Sequence, residues 1–315
     1  MDNPARLVLV TGHVFGVRAF EGIFTSPAFL GGRIEVCLMI GLSATRAGAT
    51  VGYRSIAAMA QEQGVPHVLT SDGSLLSLAG MIEEAQPDYI LVIGWSRLVA
   101  DYVLTIPDMH DAGEEIKAGG RGCIGMHPSY LPVGRGRAPI PWTIIKGFTT
   151  TALSVFFLEP EADSGPIIAQ HAMPVGSRET SASLFSRMVS MHYTAGRRLA
   201  ESLAQREIYA RLQDSVLASS WPKRNPADGE ITAALTCAEI DALVRALLGP
   251  YGRAFVLIAG HKYQIGAVRR VCGLSEADLA AAPAKEEKVI RFSCSDAVVD
   301  LTIWPIDSYV PGSWG

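Results

Sequence analysis

The first two thirds of the chain alternate between continuous apolar runs and segments with helical spacing. Four apolar runs predict buried strands of the kind found inside a parallel sheet: residues 6–11, 35–42, 88–95 and 123–126. Ser55 is interpreted as the cap of a short helix through Gln63 that Gly64 ends in the left-handed conformation. Helical spacing of apolar residues marks residues 74–85, and Gly12 and Gly16 are interpreted as turn residues after the first strand. This alternation predicts a doubly wound α/β domain.

The pattern changes after residue 148. Residues 149–158 and 165–175 are two strand-like runs with only a short polar segment between them, which predicts a hairpin-like antiparallel pair and not a βαβ unit. Apolar residues three or four positions apart then predict one long amphipathic helix over residues 184–203.

The last third predicts a small β domain. Residues 221–229 are rich in proline, glycine and charge and favour a linker, and Thr236 with Glu239 forms a capping-box pattern that opens a helix. Four short β-type runs follow, at residues 255–258, 262–268, 289–293 and 298–304. The predicted organisation is a catalytic domain, a linker and a C-terminal β domain, at residues 1–210, 211–227 and 228–315.

Composition narrows the class of protein. The chain is 49% apolar and 18% charged with a formal net charge of −4, so nothing in the balance favours nucleic acid or an anionic membrane as a partner. No run approaches the eighteen or so apolar residues of a membrane helix, and no signal-peptide segment is evident near the start. Five scattered cysteines without a CxxC pair fit a cytoplasmic protein, and the dispersed histidines predict no metal site.

The chemistry-bearing stretch runs from residue 124 to residue 170. His127 falls just past a predicted parallel strand, where ligand sites of open α/β folds gather, and Asp163 lies in the connection between the two later strands. A histidine and a carboxylate are the parts needed for general acid–base chemistry. By themselves they leave the function open, because such a histidine is more often a structural hydrogen-bonding group and such an aspartate more often forms a turn.

Longer segments add a resemblance to a known family. HPSYLPVGRGRAPIPWTIIKG at 127–147 and EADSGPIIAQ at 161–170 resemble the catalytic core of the 10-formyltetrahydrofolate-dependent formyltransferases. PDYILVIGWSRLV at 87–99 resembles the strand and loop that receive the folate, and RNPADGEI at 224–231 resembles the start of the C-terminal β domain. The resemblance implies a Rossmann-like N-terminal domain, a C-terminal domain like an OB-fold, and 10-formyltetrahydrofolate as the formyl donor.

The same resemblance implies roles for particular residues. His127 and Asp163 match the catalytic positions. The residues implied to line the folate pocket are Trp95, Arg97 and Leu98, and those implied to bind the acceptor are Ser129, Arg135, Gly136 and Arg137.

One position departs from the family pattern, which places an asparagine two residues before the catalytic histidine. Here that position is Gly125, which has no amide to donate to a developing oxyanion. Three readings stay open: another group or a water admitted by the small residue donates instead, an unusual acceptor needs the room, or the protein is an impaired homologue that binds folate.

The acceptor is expected to be a small molecule with an amine. Residues 228–315 hold eight Lys and Arg against eleven Asp and Glu, and this acidic balance counts against tRNA. The details around Arg135 and Asp163 resemble the branch that formylates nucleotide-linked amino sugars. An amine of specialised metabolism, a hydrolase that releases formate, and a non-catalytic folate-binding protein are the alternatives, and a homodimer is a possible assembly.

Overall fold

The computed structural model describes residues 3–107, 115–116, 122–206, 208–271 and 289–303. The chain divides into two compact units whose segments alternate along the sequence. The first contains Met1–Pro139, Thr150–Pro174 and Ser186–Trp221, and the second Ile140–Thr149, Val175–Phe185 and Pro222–Gly315. The stretch predicted as a linker therefore belongs to the first unit as far as Trp221, and the division into three consecutive segments stays a prediction.

In the described residues, the strands of the first unit are β1 (Ala5–Thr11), β2 (Ile34–Leu42), β3 (His67–Thr70), β4 (Tyr89–Ile93), β5 (Glu115–Ile116), β6 (Gly122–His127), β7 (Arg135–Gly136), β8 (Thr150–Phe157), β9 (Ile167–Pro174), β10 (Ala210–Arg211) and β11 (Ser220–Trp221). Six of them, β1, β2, β4, β6, β8 and β9, form from the predicted apolar runs, and the other five were not predicted. Nine of these strands form one mixed sheet in the order β3-β2-β1-β4-β6-β8-β9-β10-β5. The sheet is parallel from β3 to β6 and antiparallel from β6 to β5. The Rossmann-like α/β fold and the antiparallel β8–β9 pair are thus confirmed.

The helices of the described residues are α1 (Val14–Phe24), α2 (Pro27–Leu30), α3 (Ala57–Glu62), α4 (Ala79–Glu84), α5 (Asp101–Thr105), α6 (Pro139–Ile145), α7 (Ser181–Gln205) and α8 (Cys237–Ala246). Short 3₁₀ turns lie at Ala44–Ala49, Leu76–Leu78, Ser215–Leu217 and Pro226–Gly229. The long helix predicted from apolar spacing is α7, and it extends a few residues beyond the predicted range at each end.

The interpretation of Gly16 as a turn residue is wrong, because Gly16 lies inside α1. A Cβ at this position would overlap the Thr11 hydroxyl and lie 2.8 Å from the Ile93 carbonyl oxygen. Glycine is therefore needed for close approach between the helix and the ends of β1 and β4, and not for a turn.

The second unit contains a four-stranded antiparallel sheet and α8. The strands are β12 (Ala254–Ile258), β13 (His261–Val271), β14 (Val289–Ser293) and β15 (Val298–Ile303), in the order β12-β13-β15-β14. Helix α8 begins at the predicted capping box of Thr236 and Glu239 and buries its apolar face on this sheet. The small C-terminal β unit is confirmed, while Trp304, the last residue of the predicted run, lies outside the described residues.

A buried histidine, His192, and a partly buried one, His13, make the stability of the first unit depend on pH. His192 is fully buried, stacks on Phe15 with 4.3 Å between ring centroids, and its Nδ1 donates to Met188 O at 2.7 Å. Burial lowers the pKa of His192 to about 3 and that of His13 to about 4.

Because both folded-state pKa values lie below the unfolded value, the unfolded chain takes up protons first as the pH falls below about 6.5. We expect each histidine to remove about 2 kcal/mol of unfolding free energy between pH 7 and pH 5. Urea denaturation of the natural protein and of His192→Asn, which keeps a donor for Met188 O, checks this. An equal loss on acidification in both proteins would contradict the assignment to His192.

Among the described residues, no helix combines the length and the apolar character that a membrane crossing requires. The cysteines that the structure describes as free thiols are Cys37, Cys123, Cys237 and Cys294, and Cys272 lies outside the described residues.

Candidate active site

His127 is the last residue of β6, in the middle of the mixed sheet. Strand β4 pairs with β6 in parallel and β8 pairs with it antiparallel, so His127 lies at the carboxyl edge of the parallel half. The side chain is largely buried, with its Nε2 2.8 Å from Gly134 O and its Nδ1 3.6 Å from Asp163 Oδ2. The structure thus brings together the two residues that the sequence proposes as a pair.

Asp163 is held at both its backbone and its side chain. Its φ of +55° places it in the left-handed region, which aspartate tolerates better than most side chains. The Gly136 N–H donates to Asp163 Oδ2 at 2.8 Å, and Gln213 Nε2 donates to the Asp163 carbonyl oxygen at 2.8 Å. These two anchors fix where the carboxylate faces the imidazole.

The hydrogen-bond partners define how the His127 ring is used. A carbonyl oxygen only accepts, so the ring carries its hydrogen on Nε2 when that atom bonds to Gly134 O. At 3.6 Å from the Asp163 carboxylate, Nδ1 is within ion-pair range but beyond a hydrogen bond. Nδ1 is therefore the ring nitrogen that a reacting group can reach for proton exchange. No cluster suited to a metal ion occurs among the described residues.

Arg135 is a fixed and largely buried cation of the site. Its side chain is 11% exposed, and its Nε and Nη2 donate to Gln213 Oε1 at 3.1 and 2.9 Å. The Nη1 atom lies 3.8 Å from the exposed Glu161 carboxylate, within ion-pair range but beyond a hydrogen bond.

Gly136 and Arg137 connect the predicted acceptor loop to other parts of the site. Gly136 has a φ of +98°, and its N–H bonds to Asp163 as described. The Arg137 side chain is exposed, and its Nη1 donates to Ser96 O at 3.3 Å. Arg137 thus links this loop to the loop that follows β4.

Ser129 is buried, and its hydroxyl has no hydrogen-bond partner among the described residues. Its carbonyl oxygen accepts a hydrogen bond of 2.7 Å from Ser154 Oγ on β8. The backbone two residues after His127 is therefore held by the neighbouring strand.

The residues predicted to line the folate pocket have different environments. Trp95 is partly buried and packs against the core beneath the sheet, the Arg97 side chain lies over Gly73, and Leu98 is 70% exposed. They share the loop after β4, one strand away from His127, and their part in folate binding stays a prediction.

The segment around Gln213 and Ser219 is part of the site although it was not among the predicted site residues. Gly134 and Arg135 donate their backbone N–H groups to Ser219 O at 3.0 and 2.9 Å, and Arg137 N donates to Trp221 O at 2.9 Å. Its proline- and charge-rich neighbourhood predicted a linker, and no pattern in it signals a contact more than seventy residues back along the chain.

The space beside Gly125 is filled. Gly125 lies on β6 two residues before His127, so both positions face the same side of the sheet. A Cβ on Gly125 would lie 2.6 Å from Leu158 Cδ2 and 3.4 Å from Phe156 Cε1. The glycine therefore opens no room for a water or a larger acceptor on this side, because Leu158 occupies it.

Comparison with known proteins agrees with this fold. The profile of the formyl transferase family matches residues 56–195. A sugar 3N-formyl transferase solved in the presence of dTDP and 5-N-formyl-THF is similar, with 12% identity, a TM-score of 0.65, and coverage of 96% of this chain and 98% of that one.

Two further structures are similar. The N-formyltransferase from Helicobacter canadensis, in complex with folinic acid and dTDP-3-aminofucose, has 14% identity and a TM-score of 0.66, covering 96% of this chain and 100% of that one. Methionyl-tRNA formyltransferase from Clostridium thermocellum has 16% identity and a TM-score of 0.57, covering 86% of this chain and 95% of that one.

The profile match over residues 56–195 and the shared mixed-sheet fold support a group-transfer enzyme of the formyltransferase class. The matched segment contains both His127 and Asp163.

Proposed function

We propose that the chain transfers a formyl group from 10-formyltetrahydrofolate to the amine of a nucleotide-linked amino sugar. The observation that supports it most is the His127–Asp163 pair, with 3.6 Å between Nδ1 and Oδ2 at the carboxyl edge of the sheet. The similar structures bound to folinic acid or to 5-N-formyl-THF support a folate donor, and those with dTDP or dTDP-3-aminofucose support a nucleotide-sugar acceptor.

Formyl transfer involves three chemical events that the site must assist. The neutral amine attacks the formyl carbon, the carbonyl oxygen becomes an oxyanion, and the folate nitrogen takes up a proton as its bond to the formyl carbon breaks. In this proposal His127 reacts as an imidazolium: its Nε2–H stays bonded to Gly134 O, and its Nδ1–H stabilises the oxyanion. The Asp163 carboxylate accepts the proton that the amine loses. The leaving folate nitrogen then collects its proton through the same pair, so the pair ends as it began.

The two arginines divide the recognition of the acceptor. Arg137 is exposed and suits a diphosphate group through its forked guanidinium. The Nη1 edge of Arg135 would exchange its 3.8 Å contact with the exposed Glu161 carboxylate for an anionic group of the acceptor. Gly136 and Ser129 shape the loop that the acceptor meets, and Trp95, Arg97 and Leu98 line the donor side. Nucleic acid is not a partner in this proposal, since residues 228–315 are acidic.

Three further features belong to the proposal. The protein acts in the cytoplasm, which the four free thiols among the described residues support. It forms a homodimer, and its four-stranded C-terminal sheet is part of an OB-like domain.

Release of tetrahydrofolate from 10-formyltetrahydrofolate tests the function. We expect the purified protein to release tetrahydrofolate when nucleotide-linked amino sugars are added, and mass spectrometry to find the formyl group on the sugar amine. Matching nucleotide sugars without the amine are the control. Equal release in water alone would identify a formate-producing hydrolase, and donor binding without release in any pool would identify an impaired homologue.

A further inference from the structure

We propose that Gln213 is a positioning residue for formyl transfer, because its single side-chain amide fixes the catalytic carboxylate and the acceptor-binding arginine relative to each other. This inference rests on the proposed function. The Oε1 atom accepts from Arg135 Nε and Nη2 at 3.1 and 2.9 Å. The Nε2 atom donates to the carbonyl oxygens of Asp163 and Gly165 at 2.8 and 2.7 Å.

These four bonds fix the orientation of the Gln213 amide. Carbonyl oxygens only accept and a guanidinium only donates, so the amide oxygen must face Arg135 and the amide nitrogen must face the two carbonyl groups. The two hydrogens of the nitrogen and both lone pairs of the oxygen are then used. Gln213 is half-buried and its sequence neighbours are exposed, so packing alone does not fix its side chain. The four hydrogen bonds fix the position of its amide instead.

The bonds to the carbonyl groups set the position of the Asp163 carboxylate. Asp163 has a left-handed backbone, and Gln213 holds its carbonyl oxygen while the Gly136 N–H holds its side chain. Releasing the carbonyl lets the backbone relax and moves the carboxylate relative to His127. A displacement of about 1 Å in a reacting group is enough to cost on the order of 100-fold in rate.

The hydrogen bonds between Arg135 and Gln213 fix the orientation of the guanidinium that is proposed to bind the acceptor. The Nε edge of the guanidinium is bound by Gln213, so its other edge keeps one direction. Because one rigid amide makes both sets of bonds, the acceptor-binding cation and the catalytic carboxylate keep a fixed separation. Gln213 therefore acts by positioning Asp163 and Arg135, and not by touching the reacting atoms.

Two substitutions separate these effects. Gln213→Glu keeps an oxygen that accepts from Arg135, but an ionised carboxylate cannot donate to the carbonyl oxygens of Asp163 and Gly165. Gln213→Met removes both sets of bonds while keeping a similar length. Gln63→Met, at an exposed glutamine after α3, is the matched control.

We expect kcat to fall about 10- to 100-fold in both Gln213 variants, with the KM for the donor within about twofold of the natural value. The KM for the acceptor should rise about fivefold or more in Gln213→Met and stay close to natural in Gln213→Glu. A purely structural role would lower the thermal midpoint and the active fraction of enzyme without this split between kcat and the two KM values.

Natural kcat in Gln213→Glu would overturn the inference and leave the proposed function standing. If the natural protein shows no transfer with any acceptor, the proposed function fails, and crystal structures then test the positioning directly. A shift of the Asp163 carboxylate from His127 by about 1 Å in Gln213→Met supports the inference. An unchanged separation between these two side chains refutes it.

Discussion

Replacing His127 with alanine is expected to lower kcat/KM for formyl transfer by about 1,000- to 10,000-fold, equivalent to roughly 4–5.5 kcal/mol of transition-state stabilisation. The imidazole Nδ1 lies 3.6 Å from Asp163 Oδ2, and removing it leaves both the oxyanion and the departing folate nitrogen without their proposed donor. Stopped-flow or absorbance measurement of tetrahydrofolate release, with saturating acceptor, gives the rate.

The matched control is His261→Ala, which removes an exposed histidine at the start of β13. We expect this variant to keep the natural rate and donor affinity. A His127→Ala protein that binds the donor normally and still turns over within tenfold of the natural rate would show that His127 is not the proton-carrying group.

Restoring an amide beside His127 is expected to raise kcat by about 100-fold, provided that Leu158 is shortened at the same time. An asparagine at position 125 would share a face of β6 with His127 and could donate to the oxyanion. In Gly125→Asn alone, the new Cβ would meet Leu158 Cδ2 at 2.6 Å, so we expect only a small gain. The double variant with Leu158→Ala removes that overlap.

The single variant Leu158→Ala is the control for this experiment. It opens space without adding a donor, and we expect it to leave kcat unchanged or lower it slightly. A double variant that folds, binds the donor and turns over no faster than the natural protein would mean that the natural site already has a full set of oxyanion donors.

Much of the parallel half of the sheet could be predicted from sequence because it depends on continuous apolar runs. The run at 88–95 gave β4, and the short run ending before His127 gave β6. The helix at 55–63 ends, as predicted, at a glycine in the left-handed region, since Gly64 has a φ of +65°. These features depend on local hydrophobic patterns and local backbone preferences, which can be recognised in a single sequence.

Other features depend on contacts between distant segments and leave no local pattern. Helix α1 was missed because Gly12 and Gly16 favour a turn, while the close packing that requires Gly16 involves the later strand β4. Gln213 lies in a polar stretch whose composition predicts a linker. Its meeting with Asp163 and Arg135 is created by the fold. The identity of the catalytic pair came from family resemblance, because a histidine and an aspartate 36 positions apart carry no spacing rule of their own.

The left-handed backbone of Asp163 also restricts how this position can evolve. A φ of +55° is comfortable for glycine, and tolerable for asparagine and aspartate, but costs most other side chains about 1 kcal/mol or more. Selection for a well-folded chain therefore favours these three amino acids, although Gln86, Ala138, Arg206 and Ala259 adopt a positive φ elsewhere in the chain. Selection for a carboxylate retains one of those three, and excludes glutamate because of its backbone preference. Aspartate is then the amino acid that best combines this backbone conformation with a carboxylate. A substitution at position 163 is therefore expected to lose either the conformation or the carboxylate, and with it the activity.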